Sequence, residues 1–505
     1  MTRIGTDWHG SIRALCIRSF VAARPGTGNG GRAMLYSKLR WLSAAALACC
    51  CLTLNLAQDG TPQTAPASAA DETALRALVS EFCAAYARED LDGFLRLWSA
   101  KSPDLAARRK AMEQMFATYD RIEVKNISPR RFSADADRAR VRWEDELSAV
   151  EAKTGQPASG FGRRGRRMEC VKEDGVWRVW REGDAFDDLA AALAAAKTEG
   201  ERSALLAADE DLVTADLARA INARGNRLSA QGKFPEAMAG YQLALGIAER
   251  LGDRQVQALI LASLGRGHLL QGNFAQGLDY YQRALPQIEV SGNQNQLIGA
   301  LVNLGVANNE LGNYEAALAY YLKSLPLIEA SGNKPGLALI HLNLGSTYYA
   351  QDNYARAWEH SRESVSLAEE VGDKDTLAQA LNNIGNIHHS QGNYAQALES
   401  YRKCLALAEE LGTKDILSRT LTNVGATHMV RGDYAPALEN YQKSLAIREA
   451  LGDKVGMASL LTDLGVLYAR QKNYAPALEY YQKALAVAES AGDKASVAAL
   501  LGNFS

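Results

Sequence analysis

Leu301 to Leu325 reads LVNLGVANNELGNYEAALAYYLKSL, and its spacing decides the architecture. Leu301, Leu304 and Gly305 share one face at helical spacing, and Gly312-Asn313 stops that helix. Tyr314, Ala317, Tyr321 and Leu325 line the inner face of a second helix, which Gly332-Asn333 stops. Each Gly-Asn pair suits a left-handed C-terminal cap followed by an N-cap. The unit recurs along the chain. Gly225, Gly265, Gly305, Gly345, Gly385, Gly425 and Gly465 stand 40 residues apart without an insertion, and an aromatic, a small residue and a second aromatic follow on the same period. Small residues such as Gly305 and Ala317 let the paired helices cross closely. Pro436 and Pro476 fall in the first turn of their helices, where a missing N–H costs little. Pro286 and Pro326 lie deeper and are expected to kink theirs.

The order Leu304-Gly305, Tyr314, Ala317, Tyr321, Ser324 resembles the tetratricopeptide repeat across seven units, residues 213–495. The common unit has about 34 residues and a Pro ending its second helix. Here Glu289, Glu329 and Glu369 fall near that place, so the helix runs on and the unit lengthens. The longer unit is similar to those of the kinesin-light-chain adaptor group and of bacterial multidomain signalling proteins. No helix pair buries both its apolar faces alone, so neighbours must stack into an all-α solenoid with a concave surface that suits an extended peptide.

Asn303, Asn343, Asn383 and Asn423, with Ser263 before them and Asp463 after, form a one-per-repeat series two residues ahead of the signature Gly. Two readings stand level: an amide ladder that holds a peptide backbone through paired donors and acceptors, or ties between adjacent first helices. The carboxylate clamp of chaperone-binding relatives is absent from the pattern, since Asn follows the Gly only at Asn226 and Asn386. His268, His388 and His428 take the place of Tyr348 and Tyr468 in sister repeats and read as packed aromatics. Equivalent residues on stacked helices lie roughly 8 to 10 Å apart, too far to share one ion, so neither metal nor cofactor is expected of them. Cys404 stands where sisters have Ala284, Ser324, Ser364, Ser444 and Ala484, which points to packing and not to nucleophilic chemistry. No catalytic residue is assigned.

Ahead of the array, residues 71–187 read as an α+β domain and 188–212 as a helical linker or cap. Leu75, Leu78, Val79, Phe82 and Tyr86 mark a helix with Asp71 as its N-cap. Leu91, Phe94, Leu95 and Trp98 continue an apolar face, and Leu105, Met112, Met115, Phe116 and Tyr119 mark a further helix. Ile122-Val124 and Ala139-Val141-Trp143 then alternate as half-buried strands do, and Asp174-Gly175 sits at a hairpin turn. Glu89 to Phe94 together with Asp174 to Val179 resembles the nuclear transport factor 2-like, or SnoaL-like, superfamily, which implies a curved sheet around a conical pocket. Some members are isomerases or dehydratases and many only bind. This stretch has no His; Glu144 and Asp145 are expected to face solvent, and Arg163 to Arg167 to form a solvated hairpin loop.

The chain has 505 residues, 56 basic and 58 acidic for a net charge of −2, and 47% hydrophobic residues. That balance excludes a disordered chain and offers no basic field for nucleic acid. Residues 1–33 read as an upstream extension, and 34–70 as a signal peptide and linker: Lys38 and Arg40, an apolar stretch from Trp41 to Ala57, then small residues to Ala69. Export to the periplasm or the extracellular space follows, with a lipid anchor at Cys49 to Cys51 as the minor alternative; a spanning helix also stays open, although the apolar stretch is short of the ~20 residues that crossing needs. Residues 496–505 start an eighth repeat and stop, an open face for a second copy. The whole resembles the front part of bacterial proteins in which such repeats precede a caspase-like CHAT peptidase domain. The expected function is a non-enzymatic scaffold for a protein or peptide partner. The alternatives are the regulatory arm of a longer peptidase and a small-molecule isomerase or dehydratase in the first domain.

Overall fold

The computed structural model describes residues 66–158, 161–492 and Val497, which fall into two compact units divided at Arg224 and Gly225. Residues 1–65 and most of 496–505, which carry the expected leader and the eighth repeat, lie outside the described residues. Among the described residues no helix is long and apolar enough to cross a membrane.

The first unit opens with three helices, α1 (Ala69–Ala87), α2 (Leu91–Arg96) and α3 (Leu105–Thr118). The N-cap of α1 is Ser68 and not Asp71: the Ser68 hydroxyl accepts from the Asp71 N–H at 3.1 Å. The Asp71 carboxylate is turned instead to Lys172 Nζ, 2.8 Å away, and to the Trp177 indole N–H at 3.1 Å. Four antiparallel strands follow in the order β1 (Tyr119–Ala134), β2 (Arg138–Glu151), β3 (Gly162–Glu173) and β4 (Val176–Asp184). Asp174 and Gly175, at φ 48° and 82°, make the tight turn that the sequence calls for between β3 and β4. On β2 the alternation places Ala139, Val141, Trp143, Asp145 and Leu147 on the buried face, where Trp143 and Val141 pack with Phe82, Phe94 and Leu75.

Arg163 to Arg167 is not a loop. These residues are part of β3, and strand alternation sends Arg166 inward while Arg163 reaches Glu144, and Arg167 reaches Asp188 at 3.0 Å. Two helices, α4 (Ala185–Ala195) and α5 (Glu199–Ala208), and a short 3-10 turn at Glu210–Leu212 complete the unit. Arg142 on β2 fixes that turn through Asp209 at 2.9 Å and Asp211 at 3.1 Å.

The second unit is built of helix pairs. After α6 (Ala215–Ala230) come α7 (Phe234–Leu251), α8 (Arg254–Leu270), α9 (Phe274–Ser291), α10 (Gln294–Glu310), α11 (Tyr314–Ala330), α12 (Lys334–Ala350) and α13 (Tyr354–Val371). The series continues with α14 (Lys374–Ser390), α15 (Tyr394–Leu411), α16 (Lys414–Arg431), α17 (Tyr434–Leu451), α18 (Lys454–Arg470) and α19 (Tyr474–Ala491). Close crossing explains the signature Gly. A Cβ on Gly305 would stand 2.3 Å from Tyr321 Cε1, and one on Gly385 equally close to Tyr401. Tyr241, Tyr281, Tyr321, Tyr401 and Tyr441 are all buried against these glycines or their equivalents.

The two Gly-Asn stops differ. Gly312 and Gly332 both take left-handed φ, 77° and 67°, as the cap requires. Asn333 then caps α12 by accepting from the Gly336 N–H at 3.1 Å, whereas Asn313 makes no side-chain cap to α11. Its ψ of 60°, against 83° at Asn333, aims the side chain elsewhere, and its amide donates to Asn308 Oδ1 at 3.4 Å. Both α9 and α11 run on through Pro286 and Pro326.

Candidate functional site

The first helices of successive pairs, α8, α10, α12, α14, α16 and α18, carry the amide series one per helix. Helical periodicity puts each member on the same face as the residue after the signature Gly. Asn303 is buried and donates through Nδ2 to its own helix, to Gly299 O at 2.7 Å. Asn343 is equally buried. Asn383 donates across to the preceding first helix, α12, to Ser346 Oγ at 2.7 Å. Asn423 does the same twice, to Asn382 Oδ1 and Asn386 Oδ1, both at 3.0 Å. Asp463 takes the last position; it is half-buried, and burial pushes its carboxyl up to about 7 against the pull of Arg448. Asn383 and Asn423 therefore act as ties between adjacent first helices, one of the two roles that the sequence leaves open. The side-chain amide hydrogens are what they commit. In Asn303, Asn383 and Asn423 the carbonyl Oδ1 accepts from no described residue, so each keeps an acceptor.

A second line of polar contacts runs beside the series, and the sequence reading passed over most of it. Thr347 Oγ1 donates to Asn309 Oδ1 at 2.9 Å, Tyr349 Oη meets Ser390 Oγ at 2.9 Å, and His389 Nδ1 meets Thr427 Oγ1 at 2.9 Å. Each links residues 38 to 41 positions apart, so a search for polar pairs near one repeat length is the signal that finds them. Tyr401 Oη donates to Asn386 Oδ1 and Tyr241 Oη to Asn226 Oδ1, both at 2.8 Å, which gives the two Asn residues after the Gly a structural use. His268 stacks on Tyr280 with centroids 5.2 Å apart, and His388 meets Trp358 edge-on at 5.0 Å, as packed aromatics do. Cys404 is buried beside Thr420 Oγ1, and burial holds its thiol up at about 11, so it is unreactive near neutral pH.

The sheet unit holds a polar cluster where solvent-facing carboxylates were expected. Asp145 is 1% exposed, because the odd-numbered residues of β2 face the helices. Its Oδ2 accepts from the Trp143 indole at 2.9 Å and from Arg166 Nε at 3.3 Å. Arg166 also pairs with Glu182, which Arg108 holds from α3 at 2.9 Å, and its guanidinium lies 5.1 Å from the Tyr86 ring centroid. Burial raises the Tyr86 hydroxyl, with Glu182 adding to it, and burial raises the Cys83 thiol to about 12. Glu144, on the other face, is nevertheless shielded by Arg130 at 3.1 Å and by Arg163. A cavity of about 370 Å³ opens between α1 and the β3–β4 turn, lined by Ala74, Leu78, Glu81, Trp177 and Arg178 among others and by none of the cluster residues. Cys83, Cys170 and Cys404 are free and buried.

The tetratricopeptide repeat family model matches residues 296–370, 336–410 and 415–490, so this part of the array consists of tetratricopeptide repeats. No curated protein matches the chain. Among solved structures, the apo form of RapI is similar at 17% identity and TM-score 0.47, covering 54% of this chain and 97% of its own. Aspartyl phosphate phosphatase F from Bacillus subtilis is similar at 19% identity and TM-score 0.47, covering 57% and 74%. A tetratricopeptide repeat protein from Parabacteroides merdae is similar at 19% identity and TM-score 0.41, covering 56% and 97%.

Proposed function

We propose that the repeat array is a scaffold that binds an extended peptide of a protein partner along the face shared by its first helices. The observation that carries this reading is the row of uncommitted carbonyl oxygens on Asn303, Asn383 and Asn423, fixed in place because the amide hydrogens of the same side chains are already engaged. A row of acceptors one or two repeats apart suits backbone N–H groups of an extended chain, and so gives affinity that does not depend on the peptide's side chains. The role is binding and not catalysis, and the chain does its work outside the cytoplasm, as the leader pattern of residues 34–70 supports.

The test uses peptides selected from a displayed random library on the full chain. Replacing Asn303, Asn383 and Asn423 by Ala should weaken the selected peptides at least tenfold. Thermal unfolding is followed alongside, since Asn383→Ala and Asn423→Ala also remove ties between helices. Unchanged affinity would reject the ladder. A second reading concerns the sheet unit, where Asp145, Arg166, Glu182 and Tyr86 collect polar groups inside an otherwise apolar interior, and Asp145 Oδ1 has no hydrogen-bond partner. That cluster supports binding of a small polar molecule, in line with the SnoaL-like resemblance. A ligand that raises the unfolding temperature of the wild type and not of Asp145→Asn would support it.

A further inference from the structure

One repeat of the seven departs from its sisters at two neighbouring places. His341 on α12 stands where the other first helices have Leu261, Leu301, Leu381, Leu421 and Leu461. Ser361 on α13 replaces the buried Tyr, and beside it His360 takes a variable position, held elsewhere by Gly240, Tyr280, Tyr320, Ser400, Asn440 or Tyr480. Leu or Ile fills the His341 position in every sister repeat, so packing alone does not call for an imidazole there. The structure brings the pair together across the two helices, with Nδ1 to Nδ1 at 3.0 Å and ring centroids 5.1 Å apart. We propose that His341 and His360 form a chelating site for a divalent transition cation of square-planar or tetragonal preference, Cu(II) or Ni(II), which clips α12 to α13.

The spacing of the two nitrogens suits such an ion. A cation about 2.0 to 2.1 Å from each of two nitrogens that are 3.0 Å apart subtends an angle of about 94°. That is the right angle of square-planar and tetragonal ions, whereas tetrahedral zinc needs the nitrogens about 3.3 to 3.4 Å apart. The donors are also held ready. The His360 ring lies parallel to Tyr348, at 4° and 5.4 Å between centroids, and the Tyr348 hydroxyl accepts from Arg356 Nη1 at 3.1 Å. Glu359 and Glu363 set two negative charges near His360 against the positive charge of Arg356, a balance that favours a cation. Ser361 Oγ, fully buried, has no hydrogen-bond partner. Among the described residues no group of three or more His, Cys, Asp or Glu side chains could hold a metal, so the remaining coordination positions fall to water.

The experiment titrates untagged full chain with copper(II) chloride and nickel(II) chloride, beside His341→Leu and His360→Tyr, each of which restores a sister residue and so keeps the core filled. Calorimetry should show one site in the wild type whose affinity falls at least tenfold in both variants. The copper electron paramagnetic spectrum should carry the hyperfine pattern of two nitrogens and lose it in both. Thermal unfolding of the wild type should rise with added Ni(II) and that of the variants should not. Equal stoichiometry and equal spectra in the three proteins would overturn the site and leave the pair a hydrogen bond between neutral imidazoles.

Discussion

Replacing Gly305 by Ala adds one methyl group at the point where α10 crosses α11. Its carbon would lie 2.3, 2.5 and 2.8 Å from Cε1, Cδ1 and Cζ of Tyr321, against about 3.5 to 4.0 Å for a comfortable carbon contact. Tyr321 is 2% exposed and packed on all sides, so its ring has nowhere to move and the helices must part by more than an ångström. Overpacking of this kind costs about 1 to 3 kcal/mol. Ala recovers about 1 kcal/mol of helix propensity, which leaves a net loss of up to about 2 kcal/mol. Gly246, in α7, supplies the control: a Cβ there meets nothing within 4 Å, so Gly246→Ala should gain about 0.5 to 1 kcal/mol from propensity alone. The difference between the two variants isolates the crossing. Because a repeat array does not unfold as one two-state unit, the assay is native-state hydrogen exchange resolved to α10 and α11, with thermal unfolding beside it. Gly305→Ala as stable as Gly246→Ala would refute the close-crossing account.

Three further outcomes follow from named groups. Arg166→Met leaves the buried Asp145 carboxylate without its cation and Glu182 with Arg108 alone, and should cost about 3 to 5 kcal/mol, read from the unfolding of the sheet unit by near-ultraviolet circular dichroism of Trp143 and its neighbours. Asp463 has its carboxyl raised to about 7 in the folded chain from 3.8, so between about pH 4 and 7 the unfolded chain gives up this proton and the folded one keeps it. Its contribution therefore declines as pH rises through that window. Asp463→Asn, which restores the sister residue, should stabilise the array at pH 8 and change little at pH 4 in parallel urea unfolding. Lys472 sits at φ 59°, where every sister repeat but that of Asp352 has Gly at left-handed φ, so Lys472→Gly should raise the stability of the last helix pair by about 1 kcal/mol in hydrogen exchange.

The array was legible because its determinants are local and repeated. Gly305, Tyr314, Ala317 and Tyr321 each recur on a fixed period, and repetition averages away the ambiguity of any one segment. The sheet unit gave less. Arg163 to Arg167 looks like a solvated loop because five residues with four charges have no apolar alternation, yet β3 runs through them, and partners distant in sequence, Glu144, Asp145 and Glu182, neutralise Arg163 and Arg166. Asp145 was expected outside for the same reason, since a carboxylate gives no hint that an Arg 21 residues later will meet it indoors. The amide series was visible as a pattern, but not which hydrogen each amide spends, because that depends on the register of neighbouring helices. The His341–His360 pair was hidden by separation: 19 residues and a turn lie between two histidines whose positions face each other only once the helices cross.

The most direct test of the peptide-groove account is the affinity of library-selected peptides for the wild-type chain and for the variant with Asn303, Asn383 and Asn423 replaced by Ala, each measured with its unfolding temperature. The account predicts enriched peptides that protect first-helix amides from hydrogen exchange and bind the folded variant at least tenfold more weakly. Peptides that bind both proteins equally, or a selection that enriches none, would contradict it.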